Sequence, residues 1–201
     1  MTIDKNDLLN SILASISRID YVKSTDIPNI DLYMDQVMQL FESKLSYTKR
    51  NNDDKVLTKT MINNYAKANL LMKIKNKKYT KDHLILMGLI YNLKGGLSLT
   101  DIKTMFTPII EAFDNNEQEK YPLYDVYQSF LDAYDFNLDD LNNSSHKISE
   151  NIKKLVDSNE SLGDFEEKFL LVCAFISMSN LYRRMSEKII DECFMSTKED
   201  K

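Results

Sequence analysis

Hydrophobic side chains recur every three or four residues along most of this 201-residue chain, which is the spacing that places them on one face of an α-helix. Residues 46–57 are polar and predict a loop, residues 70–75 suit an extended segment, and Asn76-Lys77-Lys78 predicts a turn. The fold class that follows is all-α. The predicted helices span residues 4–19, 31–45, 58–68 and 80–93, a stretch from Ser98 or Thr100 that Pro108 perturbs or ends, and residues 117–136, 145–156 and 164–193.

The short helix over residues 58–68 has two chemically different faces. Thr58 is the expected cap at its start, because a threonine oxygen can accept a hydrogen bond from the first turn. Its inner face is Met61, Ile62, Tyr65 and Ala68. Its outer face is Lys59, Asn63 and Lys67 on successive turns, with Thr60 and Asn64 beside them.

The last predicted helix, residues 164–193, is apolar nearly all round. Such a helix is buried or lies at a subunit interface. It contains both cysteines, Cys173 and Cys193, which we expect to pack as small hydrophobic side chains.

Charge is distributed unevenly along the chain, whose net charge is −5. Residues 44–81 contain 11 basic and 2 acidic side chains, whereas residues 105–201 contain 10 basic and 20 acidic ones. A cationic segment between acidic flanks favours a localised anion-binding surface, although lysine-rich stretches are also common on ordinary solvated surfaces.

The sequence contains no pattern that indicates catalysis, a metal site or a cofactor, so we predict a protein that is not an enzyme. His83, at the start of a predicted helix, suits a surface or capping role better than that of a base. No apolar run approaches the roughly 20 residues of a membrane span, and residues 1–7 do not resemble a signal peptide. We therefore expect a cytoplasmic location with reduced thiols.

Residues 58–106 resemble the MerR-type winged helix-turn-helix. Tyr65 matches the tyrosine at the end of that family's recognition helix, and Asn63 stands where the family usually has arginine. Asn69-Leu70 replaces its Gly-Leu pair, asparagine being the residue other than glycine that best tolerates a positive φ. Lys78-Tyr79 replaces its Arg-Tyr pair, and Leu93-Lys94 with Ser98-Leu99-x-x-Ile102 matches its last block.

The layout of the chain is also similar to an uncharacterised bacterial family, domain of unknown function 1836, over about residues 27–110. The similar segments begin at Leu32, Leu57 and Leu97. The two resemblances together imply an N-terminal helix (residues 1–26), a MerR-like domain with a small two-stranded wing (residues 27–113) and an acidic helical bundle region (residues 114–201).

The MerR resemblance implies a sequence-specific transcriptional regulator that binds double-stranded DNA. Asn63 or Asn64 would pair with adenine and Lys59 would reach guanine. Phosphates would meet lysines of the helix end and the wing. The class also implies a homodimer, with dimerisation or an unidentified effector assigned to the C-terminal region. The DNA-contacting residues are then Lys59, Thr60, Asn63, Asn64, Tyr65, Lys67, Lys73, Lys75, Lys77, Lys78 and Tyr79.

A second hypothesis of another class stays open. The helix-turn-helix is then a scaffold that no longer binds DNA, and the apolar helix over residues 164–193 docks a partner protein or a second copy. The DNA-binding hypothesis requires one cationic face with Asn63 and Asn64 at its centre, whereas scattered lysines would remove its main support. The lysines concerned are Lys59, Lys67, Lys73, Lys75, Lys77 and Lys78.

Overall fold

A computed structural model describes residues 5–17 and 21–195 and has a mostly helical fold with one small sheet. The two ends of the first predicted helix, Asp4 and residues 18–19, lie outside this described part. In chain order the elements are α1 (Lys5–Ile16), β1 (Leu32–Tyr33), α2 (Met34–Leu45), α3 (Lys59–Lys67), β2 (Lys78–Tyr79), α4 (Lys81–Leu93), α5 (Leu99–Asp114), α6 (Leu123–Asp157) and α7 (Asp164–Cys193). The all-α prediction is therefore confirmed.

The chain divides into two compact units. One contains residues 21–132 and 189–195 of the described chain, and the other contains residues 5–17 and 133–188. The basic segment lies entirely in the first unit, and most of the acidic C-terminal sequence lies in the second.

The core of residues 21–132 forms where α2, α3, α4, α5 and the start of α6 each contribute an apolar face. Phe41, Ile62, Leu84 and Ile102 are completely buried in it. Helix α4 is its centre, because every residue from His83 to Ile90 is buried. This explains why the sequence of α4 is apolar on nearly all sides.

A two-stranded antiparallel sheet joins the beginnings of α2 and α4. Leu32 pairs with Tyr79, and Tyr33 pairs with Lys78. Leu32 and Tyr79 are buried against the core, whereas Tyr33 is exposed. The extended segment predicted over residues 70–75 makes only an isolated bridge, Lys75 to Lys78, because the partner of β2 is β1.

Helix α6 is continuous where the sequence predicts two helices separated at residues 137–144. That interval is polar, but it contains no glycine or proline, and Leu138, Leu141 and Ser145 keep the helical spacing. Ser145 is only 1% exposed. The polar side chains therefore occupy the solvent side of one helix and do not interrupt it.

Helix α5 begins at the Ser98 cap and continues through Pro108 to Asp114. Proline removes one backbone donor, so the sequence predicts a break there. The helix persists because Phe106 and Ile110, on either side of Pro108, are buried in the core. The cysteines also differ from expectation, since Cys173 and Cys193 are both exposed.

None of the helices formed by the described residues is both long and apolar enough to cross a membrane.

Candidate nucleic-acid interface

Helix α3 is closed at both ends by local hydrogen bonds. Thr58 Oγ1 accepts from the Met61 amide at 3.1 Å, as its capping role predicts. At the other end Asn69 has φ 56°, and its amide bonds to the carbonyl of Ala66 while the Leu70 amide bonds to that of Tyr65. These two bonds form a Schellman motif. The interpretation of Asn69 as a left-handed residue is confirmed, and α3 has a defined length of nine residues.

The two faces of α3 separate as the sequence predicts. Ile62 is fully buried, and Met61 and Ala68 are half-buried. The polar residues cover an arc of about 140° at 100° per residue. The residues on this arc, which we call the α3 polar face, are all exposed: Lys59, Thr60, Asn63, Asn64 and Lys67.

Tyr65 and Tyr79 belong to the core and do not reach the polar face. Their side chains are 4% and 3% exposed, and burial raises the pKa of each phenol. Tyr79 also packs edge to face on His83, with ring centroids 5.8 Å apart. Their assignment as DNA-contacting residues is therefore wrong, because a side chain buried in the core cannot reach DNA. The two tyrosines instead pack beneath α3 and the sheet.

Residues 73–78, which we call the lysine loop, turn tightly before β2. Asn76 and Lys77 have φ 53° and 58°, and the Lys78 amide bonds to the Lys75 carbonyl at 3.0 Å. Two successive positive φ values define a type I′ turn, which matches the twist of antiparallel strands. The predicted turn is confirmed, and it exposes the side chains of Lys75 and Lys77.

Two lysines of the loop are engaged with other side chains. Lys73 Nζ lies 3.5 Å from Asp114 Oδ2, and the Lys73 amide bonds to the same carboxylate at 3.3 Å. Lys78 Nζ lies 5.5 Å from the centroid of the Tyr33 ring. In the described part of the chain, Lys59, Lys67, Lys75 and Lys77 make no ion pair.

A cleft of about 380 Å³ opens behind the lysine loop. Lys73, Lys75 and Lys78 are among the residues that line it. Three carboxylates, Asp31, Asp82 and Asp114, line it as well. Side chains of both charges therefore line the cleft, and it is not a strongly cationic site. The electrostatically strongest candidates for anion contact are therefore the lysines on α3 and at the tip of the turn.

His83 links the segment that precedes the lysine loop to the start of α4. The Thr80 amide donates to Nδ1 at 3.1 Å, so the ring proton is on Nε2, which donates to the Met72 carbonyl at 3.2 Å. The side chain is 4% exposed, and desolvation by burial lowers its pKa. The capping interpretation of His83 is confirmed, while a surface position is wrong.

The loop between α2 and α3 is long but anchored. Val56 and Leu57 are buried in the core, and Thr48 Oγ1 lies 2.7 Å from the Tyr91 hydroxyl. Arg50 and Lys55 in this loop are exposed. Both residues belong to the basic segment. The sequence assigns neither of them a role in DNA contact, because they lie before α3 and outside the residues that resemble the MerR-type domain.

The α3 polar face presents two kinds of hydrogen-bonding side chain. Asparagine amides present a donor and an acceptor side by side, and lysines present donors only. No group of three or more histidine, cysteine, aspartate or glutamate side chains suited to a metal ion occurs among the residues that the structure describes.

Comparison with protein families places this chain in one of them. The model of the family described as Domain of unknown function (DUF1836) matches residues 22–130, more than half of the chain, and the chain belongs to that family. The match covers the core, the α3 polar face and the lysine loop. No curated protein and no solved structure matches the chain.

Proposed function

We propose that this protein is a sequence-specific DNA-binding transcriptional regulator with a MerR-like winged helix-turn-helix. In this proposal α2 and α3 form the helix-turn-helix, and the lysine loop forms the wing. The observation that carries it is the α3 polar face, on which two asparagines lie between two unpaired lysines and all five side chains are exposed.

The proposed contacts divide by chemistry. Asn63 or Asn64 pairs with adenine in the major groove, and Lys59 reaches guanine acceptors. Lys67, with Lys75 and Lys77 of the loop, contacts phosphates, which position the protein without reading sequence. Thr60 is a further contact of the same face. Lys73 and Lys78 contribute less to phosphate binding, because each lysine already has a partner within the chain.

Regulators of this class read two half-sites with two-fold symmetry, so we propose that the protein acts as a homodimer. The acidic C-terminal region, residues 114–201, then supplies dimerisation or senses an effector. A cytoplasmic location is part of the same proposal, because the target is chromosomal DNA.

A second candidate function follows from a specific observation on α7. Its large apolar side chains are more than half exposed at several positions, including Phe165, Phe169 and Val172. Exposed apolar patches of this kind mark interaction sites. The competing proposal is therefore a helical protein-interaction module that does not bind DNA. A wild-type protein that shows no affinity for DNA would favour this second function.

The test measures the affinity for labelled genomic DNA fragments by fluorescence anisotropy and compares the wild type with the double variant Lys59→Glu/Lys67→Glu. We expect a loss of affinity of at least about 100-fold, since two phosphate or base contacts become repulsive. The matched control is Lys147→Glu/Lys153→Glu, which changes the net charge equally at two exposed lysines of α6. Equal affinities for the two double variants would contradict the proposed interface.

A further inference from the structure

The charged side chains that line the cleft behind the lysine loop are mostly not paired with each other. Three are carboxylates and three are lysines: Asp31, Asp82, Asp114, Lys73, Lys75 and Lys78. Lys73 forms an ion pair with Asp114. Within the described part of the chain, Asp31, Asp82 and Lys75 make no ion pair. The cleft therefore presents unpaired groups of both charges to the same space.

Asp82 is the carboxylate of the cleft that is most withdrawn from water. It is half-buried, whereas Asp31 and Asp114 are exposed. Burial raises the pKa of Asp82, and the nearby charges of His83 and Lys81 oppose this effect only in part. Withdrawing a carboxylate from water without an ion pair costs free energy, so a cation bound beside Asp82 would offset that cost.

The three carboxylates gather around His83, and each lies close enough to act on the pKa of the imidazole. The described residues include no group of acidic side chains suited to a metal ion. An ammonium group suits these carboxylates better, because it has three donors to share among their oxygens. We therefore expect the cationic part of a ligand near His83 and its anionic part at the lysine loop.

We propose that this cleft binds a small zwitterion with the chemistry of a free amino acid. Asp82 and Asp31 bind its ammonium group, and Lys75 binds its carboxylate. The three carboxylates and the three lysines of the lining cancel in charge, so a ligand without net charge leaves the cleft balanced. The site does not rest on DNA binding.

The size of the cleft and the rest of its lining fit such a ligand. Its volume of about 380 Å³ lies near the lower end of the roughly 300–1,000 Å³ that is typical of small-molecule sites. Met72 and Phe113 supply apolar contacts for a side chain. The amides of Asn116 and Gln118 can hydrogen-bond to either charged group. All the lining residues belong to one compact unit of the fold.

The experiment is a titration of the full chain, without DNA, with each of the standard amino acids in turn, followed by proton–nitrogen NMR. We expect at least one amino acid to shift the backbone amide signals of Lys75, Asp82 and Asn116 until they saturate. Methylamine and acetate each carry only one of the two charges. Each should bind at least about tenfold more weakly than that amino acid, because one charge-assisted contact is missing.

Two pairs of variants locate the binding site. Lys75→Gln should raise the dissociation constant at least about tenfold. Its matched control is Lys77→Gln, because Lys77 is exposed on the same turn but does not line the cleft. Asp82→Asn should have a similar effect. Its control is Asp125→Asn, which removes an exposed carboxylate from the first turn of α6. Both controls should bind like the wild type.

Three results would overturn the proposal. The first is that no amino acid gives saturable shifts at the cleft. The second is that methylamine or acetate binds as tightly as the amino acid, since only one charge is then recognised. The third is that Lys75→Gln binds like Lys77→Gln. If Asp82→Asn does not fold, as judged by circular dichroism, the lysine pair alone decides. None of these results depends on whether the protein binds DNA.

Discussion

The imidazole of His83 bridges the Met72 carbonyl and the Thr80 amide, with Nε2 at 3.2 Å from the first and Nδ1 at 3.1 Å from the second. Met72 precedes the lysine loop and Thr80 follows it. One neutral histidine therefore holds both ends of the segment that we propose as the wing.

We expect this bridge to make stability depend on pH below neutrality. Burial lowers the pKa of His83 below its ordinary 6.5, so the unfolded chain takes up a proton before the folded one. The free energy of unfolding should therefore fall as the pH drops below about 6.5, by at most about 1.4 kcal/mol per pH unit for one proton. The loss should stop growing below the folded-state pKa. Urea unfolding at several pH values measures it.

The control for this pH dependence is His83→Gln. Glutamine can accept from the Thr80 amide in the same capping position and does not titrate. Its unfolding free energy should vary less with pH than that of the wild type over the same interval. Identical pH profiles for the two proteins would remove His83 as the cause.

Gly88 and Tyr127 should be coupled in stability. A Cβ at Gly88 would lie 2.9 Å from the Tyr127 hydroxyl, which is held by a 2.5 Å bond to the Val22 carbonyl. Alanine normally stabilises a helix by about 1 kcal/mol relative to glycine. Here we expect Gly88→Ala to destabilise by about 1–3 kcal/mol, as overpacking does.

The same pair provides its own control through a double-mutant cycle. Tyr127→Phe alone should cost about 1–3 kcal/mol, because the Val22 carbonyl loses its donor. In that background Gly88→Ala should cost clearly less, since the clashing oxygen is gone. Strictly additive free energies from thermal or urea unfolding would show that the contact is not the cause.

The turn of the lysine loop allows stability and charge to be separated. Lys77 has φ 58°, a conformation that costs a residue with a Cβ about 1 kcal/mol or more. We therefore expect Lys77→Gly to raise the free energy of unfolding by about 1 kcal/mol. Lys75→Gly should not, because Lys75 has no positive φ. Both variants lose one charge, so both should weaken DNA binding to a similar extent.

The sequence predicts α3 well because its signals are local. The Thr58 cap, the two faces and the left-handed Asn69 all depend on residues within a few positions of one another. The same holds for the turn at Asn76 and Lys77, where asparagine favours a positive φ.

What the sequence could not predict depends on residues far apart. Lys73 is engaged because Asp114 reaches it from the end of α5, 41 residues later. The continuity of α5 through Pro108 depends on burial in a core that several helices build. The resemblance implied that Tyr65 contacts DNA. Its ring is largely apolar and lies on the inner face of α3, so it is buried in the core instead.

The most direct measurement of the central proposal is the salt dependence of DNA affinity. Three unpaired lysines assigned to phosphates, Lys67, Lys75 and Lys77, predict a slope of log affinity against log salt of about −3. Lys67→Ala/Lys75→Ala should reduce the magnitude of the slope by about 2, whereas Lys147→Ala/Lys153→Ala should leave it unchanged. The same slope in all three proteins, or no binding by the wild type at low salt, would contradict a DNA interface on α3 and the lysine loop.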